Sequence, residues 1–520
     1  MAVCSRCHFI LPRKLEVPPS PVPDLIRTYL PPSSSQISTI QQSMADAQSN
    51  IYKLDNEISK LEIALNDLRH KRVELNRFTR QHLAILSPMR CLPPEILGDI
   101  FKNCLNFCWQ DRVFDVREAP LLLSQVCIGW RDAVLSNAKL WSTISLYLQD
   151  SISEAELSLV KTWLTRAGGH PLSIRVVDRW QRASHPVLDL ILSCTDRWKH
   201  VEFCVAQTYF EANNLDMPIL ESASFPGGAR WTQPMNAFLL APRFHRLYIG
   251  FPASSHMLRL PWSQLTELHV DELQFHECLE IIRQSQNLIH CDLGITSWDN
   301  TESVPPPTSQ IVLSQLRILV VSTSSNVGDL FDHLLVPALL EIQLEQYGTQ
   351  QTAWVDQFVS LMHRSSCVIE MLHLECDRRI PDECLIRCLQ STPSLITLEL
   401  GGYKASSLGK RAMTQLALRT SSREQPIVPK LRNLQLQYEN NFTFDDGAFA
   451  DMVASRRDSY AAGVDGWVSL LKTVHVSFFH RSVAVNPESL RRLRKLRDEG
   501  LDIRLMNASS SLSLLSNLES

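Results

Sequence analysis

Apolar positions along the chain change period three times, and each change predicts a different element. From Ile37 the residues Ile37, Ile40, Met44, Ala47, Ile51, Leu54, Ile58, Leu61, Leu65 and Leu68 fall at alternating spacings of three and four. That is the a/d pattern of a heptad, and with no Gly or Pro between 36 and 87 it predicts one helix across nearly the whole segment. Arg72 interrupts the stripe and Leu75 briefly restores it. Ile51, Leu54, Ile58, Leu61, Leu65 and Leu68 form the candidate coiled-coil seam. Two readings stay open: the stripe joins a second copy or a partner helix through residues 37–75, or it packs against its own chain.

Pro88 ends that pattern, and Leu92-Pro93-Pro94-Glu95 opens a new one. Proline at the first helical position and Glu in the first turn start a helix well, and Ile96, Leu97, Ile100, Phe101, Cys104 and Leu105 follow at one-face spacing. A second helix carries Leu122, Leu123, Val126, Cys127 and Trp130. Leu140-Trp141 and a strand-like Ile144-Leu146-Leu148 follow.

Beyond about residue 185 a short alternating motif recurs. It reads Val201-Glu202-Phe203, Leu247-Tyr248-Ile249, Leu268-His269-Val270, Leu316–Val320, Leu340–Leu344, Leu372-His373-Leu374, Leu395–Leu400, Leu431–Leu436 and Val474-His475-Val476. Most copies lie roughly 20–30 residues apart, the period of leucine-rich repeats. Helical pieces such as Cys278–Ile282 and Cys384–Leu389 lie between them. Strand plus helix per unit predicts a parallel sheet backed by helices, an irregular solenoid with longer loops near 400–475. The basic run Arg491–Arg497, with Leu490, Leu493 and Leu496 at spacing three, reads as its final helix, and Leu501–Leu505 as its last strand. A nuclear-localisation or acidic-partner patch is the other reading of that run.

Composition narrows the function classes. The 520 residues are 44% apolar and 20% charged, close to an average globular chain, and net charge is −4. That balance gives no global drive toward nucleic acid or an anionic membrane surface. Seventeen glycines against 28 prolines disfavour Gly-rich nucleotide-binding folds. The N-terminus has no continuous apolar core of a secretory signal, and no segment approaches the roughly 20 apolar residues of a membrane span. Fourteen scattered cysteines then read as reduced, mostly buried thiols, in the cytoplasm or nucleus. Seven prolines between 11 and 34 mark an extended leader, with a PxxP recognition site as the alternative to a plain linker.

The segment Leu92–Trp141 resembles an F-box. The matching residues are Leu92-Pro93-Pro94-Glu95-Ile96-Leu97-Gly98-Asp99-Ile100-Phe101, then Leu123-Ser124-Gln125-Val126-Cys127-Ile128-Gly129-Trp130-Arg131, then Leu140-Trp141, all in order. Followed by the repeats, the set is similar to the large fungal families of F-box proteins. It departs from them in a longer stretch between Phe101 and Leu123, and in Ile128-Gly129 where a basic pair is common. The resemblance implies a docking module for the Skp-type adaptor of cullin-based ubiquitin ligases. Its implied adaptor-binding residues are Leu92, Pro93, Pro94, Glu95, Ile96, Leu97, Ile100, Phe101, Val126, Trp130 and Trp141. A small three-helix unit buries little surface alone, and these apolar residues exceed what its core needs.

Candidate chemistry adds little. Gly402–Lys410 superficially resembles a P-loop, but has six residues between its glycines and Arg411 where Ser or Thr must hold magnesium. Cys4-Ser5-Arg6-Cys7-His8 matches a c-type haem attachment string without an export signal, and lacks a second Cys-x-x-Cys for zinc. Cys384 and Cys388, beside Cys376, read as core. His269, His373 and His475 read as structural histidines.

The expected organisation is a leader (1–35), a heptad helix (36–87), the F-box (88–148), the α/β leucine-rich-repeat-like solenoid (149–505) and a flexible tail (506–520). The expected function is a non-catalytic, cofactor-free substrate receptor of a Skp–cullin–F-box ligase. The solenoid takes an unidentified target, with Trp231, Trp262, Trp298, Trp354 and Trp467 among its candidate anchors. No nucleic acid or membrane is expected as a partner. The alternative is a coiled-coil and repeat scaffold that does not direct ubiquitin transfer.

Overall fold

A strand with apolar side chains at every second residue buries one face and leaves the other to polar groups. That alternation, repeated at short intervals, is what the fold is built from. The computed structural model describes residues 17–105, 116–148, 152–180, 182, 184–211, 215–227, 234–250, 258–297, 310–347, 353–377, 380–401, 408–418, 426–438, 444–457, 468–478, 485–507 and 512–513. Two compact units separate along the chain, Met1–Ile96 and Leu97–Ser520.

The first unit contains the helix Ser34–Ile85, 52 residues long. Ser33 caps it: its side chain accepts from the Gln36 N–H, and the Gln36 side chain accepts from the Ser33 N–H at 2.9 Å. No residue of this helix is buried, and the seam residues stand in solvent, from Leu54 at 36% to Leu68 at 64% exposed. A 3₁₀ turn, Pro88–Cys91, follows.

The second unit is organised by strands. In chain order they are β1 Thr143–Tyr147, β2 Leu172–Val177, β3 Trp198–Cys204, β4 Ser222–Phe225, β5 Arg246–Ile249, β6 Glu267–Gln274, β7 His290–Ser297, β8 Ile311–Val312, β9 Ile318–Thr323, β10 Leu334–Leu335, β11 Glu341–Gln346, β12 Met371–Cys376, β13 Thr397–Gly401, β14 Asn433–Tyr438, β15 Thr473–Phe478, β16 Asp502–Asn507 and β17 Leu512–Ser513. All except β8 and β10, which pair with each other, form one sheet whose spatial order is the chain order. Every neighbouring pair is parallel except β16 with β17.

The buried strand positions line up from strand to strand. Ile144, Ile174, Val201 and Ala223 continue through Leu247, Leu268, Cys291, Leu319, Ile342, Leu372, Leu398, Leu434, Val474 and Ile503, all at most 3% exposed. Between most strands the chain returns through amphipathic helices. Phe275–Gln284 buries Cys278, Ile281 and Ile282, and Val355–Ser365 buries Phe358, Leu361 and Met362. The basic helix Pro487–Asp498 buries Leu490, Leu493 and Leu496, keeps Arg491, Arg492 and Arg497 outside, and has Arg494 half-buried.

This architecture corrects the expected fold class. In place of a coiled coil, a three-helix unit and a leucine-rich-repeat-like solenoid, the described residues form an α/β structure with fourteen parallel strands in one sheet and thirteen α-helices. Along the helix Ser34–Ile85 no residue is buried. The described residues of 88–148 hold two α-helices, Pro94–Asn103 and Ile128–Ser136, and 3₁₀ turns at Pro88–Cys91, Leu123–Gln125 and Ala138–Trp141, and β1 lies near their end. The expected tail contains β17, paired antiparallel to Met506 and Asn507. Among the described residues no helix is long and apolar enough to cross a membrane.

Candidate functional site

The adaptor-binding residues implied by the F-box resemblance divide by burial. In the first unit Leu92 is half-buried, and Pro93, Pro94, Glu95 and Ile96 are exposed. In the second unit Leu97, Phe101 and Trp141 are core, and Phe101 is fully buried. The half-buried Trp130 packs on Phe101 with ring centroids 4.8 Å apart. Trp141 donates its indole N–H to the Val134 carbonyl at 2.9 Å, meets Trp163 edge-on at 4.7 Å, and lies under the Arg166 guanidinium at 4.6 Å. These rings hold the small helices together, and Trp141 is closed to a partner. Gly98 leaves room for the Asn137 side-chain amide, which would have to shift if a Cβ were added.

What remains open to a partner is a second apolar set. Ile100, Val116, Leu122, Val126, Ile128 and Leu135 are each at least 38% exposed, and Ile128 reaches 74%. Among the described residues of the whole stretch 143–505 there are only seven large apolar side chains so exposed. Single exposed apolar residues are ordinary, but this density in 36 residues is not. Ile100 and Val126 were anticipated by the resemblance. Leu122, Ile128 and Leu135 were not, because their exposure follows from how Phe101, Leu123 and Val134 fill the core. The stretch Asn106–Arg112 lies outside the described residues.

The outward face of the sheet is a second candidate surface, assembled by strand register. Arg175, Glu202, Ser224, Tyr248, His269, Asp292, Val320, Gln343, His373, Glu399, Gln435, His475 and Arg504 stand side by side in one cross-strand row. Polar partners satisfy one another along it. Arg175 pairs with Glu202 at 3.0 Å, His373 Nδ1 meets Glu399 at 3.0 Å, and Ser322 donates to Glu345.

Over β4 to β7 this face opens into a cleft of about 220 Å³, lined by Ser222, Ser224, Arg246, Tyr248, Glu267, His269, His290 and Asp292. His269 is its best-defined group. Nε2 lies 2.6 Å from Asp271 and Nδ1 lies 2.6 Å from Asp292. Carboxylates accept, so both nitrogens donate and the ring is held as the imidazolium. The Asp292 hydrogen bond, working against burial, raises its pKa. The Tyr248 hydroxyl donates to Asp271 at 2.7 Å, and its ring packs against His269 at 4.6 Å. Burial and that bond push the Tyr248 phenol up to about 12. Gly294, on β7, fits because a Cβ there would meet the Asp271 carbonyl at 1.9 Å. With both nitrogens engaged, His269 is a charge-holding group and has no free lone pair for base catalysis.

Other candidates resolve into core. Trp262 and Trp354, read as recognition anchors, are 5% and 0% exposed, which corrects that expectation. Trp231, Trp298 and Trp467, the Cys4–His8 string and most of Gly402–Lys410 lie outside the described residues. Burial pushes the Cys278 and Cys376 thiols up to about 12 and raises those of Cys291 and Cys388, so these are protonated packing groups. Among the described residues no group of three or more His, Cys, Asp or Glu is arranged to hold a metal. Compared with protein-family models and with curated proteins, the chain matches no family and no individual protein.

Proposed function

We propose that the chain is a non-catalytic substrate receptor of a Skp–cullin–F-box ubiquitin ligase. The helices around Ile100, Val126 and Ile128 dock a Skp-type adaptor and through it a cullin, and the outward sheet face takes the target. The observation that carries this reading is the density of exposed apolar side chains between Ile100 and Leu135, just ahead of a sheet whose outward face is polar. Covering such side chains, at up to about 1.5–3 kcal/mol each, offsets part of the cost of association. Eleven free cysteines among the described residues support a reducing compartment, cytoplasm or nucleus.

The test is co-expression with a Skp-type adaptor, followed by size-exclusion chromatography with light scattering. One adaptor per chain is expected, and V126D with I128D should abolish the complex while leaving the melting temperature unchanged. A well-folded chain that ignores the adaptor would overturn the reading. The same mass measurement reads association of two copies through residues 37–75. The helix Ser34–Ile85, with no residue buried, favours the second reading, a scaffold that does not direct ubiquitin transfer. Recruitment of cullin by the adaptor complex separates the two.

A further inference from the structure

The outward face of the sheet carries more negative charge than the whole chain. At the outward positions of the fourteen parallel strands stand three arginines, Arg175, Arg246 and Arg504. Against them stand nine carboxylates: Glu202, Glu267, Asp271, Asp292, Glu341, Glu345, Glu375, Glu399 and Asp502. With the His269 imidazolium counted, four cations against nine anions leave −5, compared with −3 for all 520 residues on the same count. Each arginine is already committed, Arg175 to Glu202, Arg246 to Glu267 at 3.1 Å and Arg504 to Asp502 at 3.1 Å. At these positions from β7 to β13 there is no Lys or Arg.

Like charges held in one plane repel, and a face built this way is stabilised when a cationic partner is laid across it. The cleft gives such a partner a place to seat a side chain. In about 220 Å³ it offers the Tyr248 ring and the Asp292 carboxylate, each with one side against His269, and the imidazole of His290, which makes no hydrogen bond among the described residues. An aromatic face beside a carboxylate is the chemistry that holds a guanidinium or ammonium group.

Resting on the sheet face being the target surface, we infer that the face between β5 and β13 binds an extended Lys/Arg-rich segment of the target protein. One cationic side chain of that segment seats in the cleft against Tyr248 and Asp292. Seven strands at roughly 4.8 Å spacing span about 29 Å, the length of about nine extended residues. A phosphate backbone would be repelled by the same charges.

The experiment titrates the full chain into a fluorescently labelled nine-residue peptide alternating Arg or Lys with Ser, read by anisotropy. Saturable one-to-one binding is expected, weakening as salt rises from about 50 to about 200 mM. D271N with D292N, and separately E341Q with E345Q, should each lower affinity at least about fivefold. D356N with E383Q, which removes two carboxylates from helices, should leave it unchanged. Equal loss from the helix pair would reduce the effect to bulk charge and overturn the assignment. So would no binding, or equal binding of an acidic peptide or a single-stranded oligonucleotide. Adaptor binding is read in a separate titration, so a chain that takes adaptor but no peptide fails this inference and leaves the receptor reading standing.

Discussion

Phe101 and Val126 occupy the same small helical region and are predicted to respond oppositely to substitution. Phe101 is fully buried against Trp130, so F101A removes an aromatic core side chain and should cost about 3–5 kcal/mol in denaturant unfolding. Val126 is 55% exposed, so V126D should shift the unfolding midpoint little, within about 0.5 kcal/mol. The sequence made these two residues look alike, since both carry the F-box resemblance. Motif membership does not distinguish a side chain that builds a surface from one that supports it. His269 makes a different point. Its ring was legible only as a strand histidine, because Asp292 arrives through the register of β6 with β7. Its pKa is raised, so its contribution to stability is complete below the ring's unfolded value and is lost as pH rises through the folded value. The melting-temperature gap between the native chain and H269Q should therefore narrow with rising pH. A gap constant across that range would show that the ring is not held as the imidazolium.

Among the elements, most strands of the large sheet were legible from the alternation, β2 was missed because it lies ahead of the repeats read from about residue 185, and β4 and β7 gave no signal. They fill inward sites with Ala223 and Cys291, both buried, which small side chains do without giving a hydrophobic signal. Helix Asp446–Ser455 shows how an element is tied down by one polar group. Arg456 caps its C-terminal end fully buried, donating to the carbonyls of Leu416 at 2.7 Å, Ile427 at 2.7 Å and Val428 at 3.1 Å. Val428 itself is held at a φ of +43°, in the left-handed region that non-glycine residues avoid. Burial lowers the guanidinium pKa to about 10. R456M leaves three carbonyls without their donor and should destabilise the chain by about 3–5 kcal/mol. R456K, with one compact donor group in place of a planar fork, should recover less than half of that loss in a urea melt.

For the whole second unit, spatial order equals chain order, so each strand of the large sheet draws its ladder hydrogen bonds from the strands next to it along the chain. Central strands are held on both sides and terminal strands on one. Native-state hydrogen exchange should accordingly be slowest in β6 to β12 and faster in β1 and β17, with intermediate protection between. Uniform protection across the sheet would mean that the unit unfolds only as a whole. The large sheet was legible in outline from the repeated alternation. Its continuity was not, because pairing partners are fixed by backbone register, which no side-chain period reports.

That strand order also dictates how the second unit would yield to force. A pull applied at its two ends acts along the succession of strands and meets them one after another. Successive parallel strands of the large sheet begin between 21 and 40 residues apart. Each detachment then releases roughly 70–140 Å of slack chain at about 3.5 Å per residue. Drawn out in an optical trap, this part of the molecule should lengthen as a staircase, its treads uneven and set by the distance from one strand to the next.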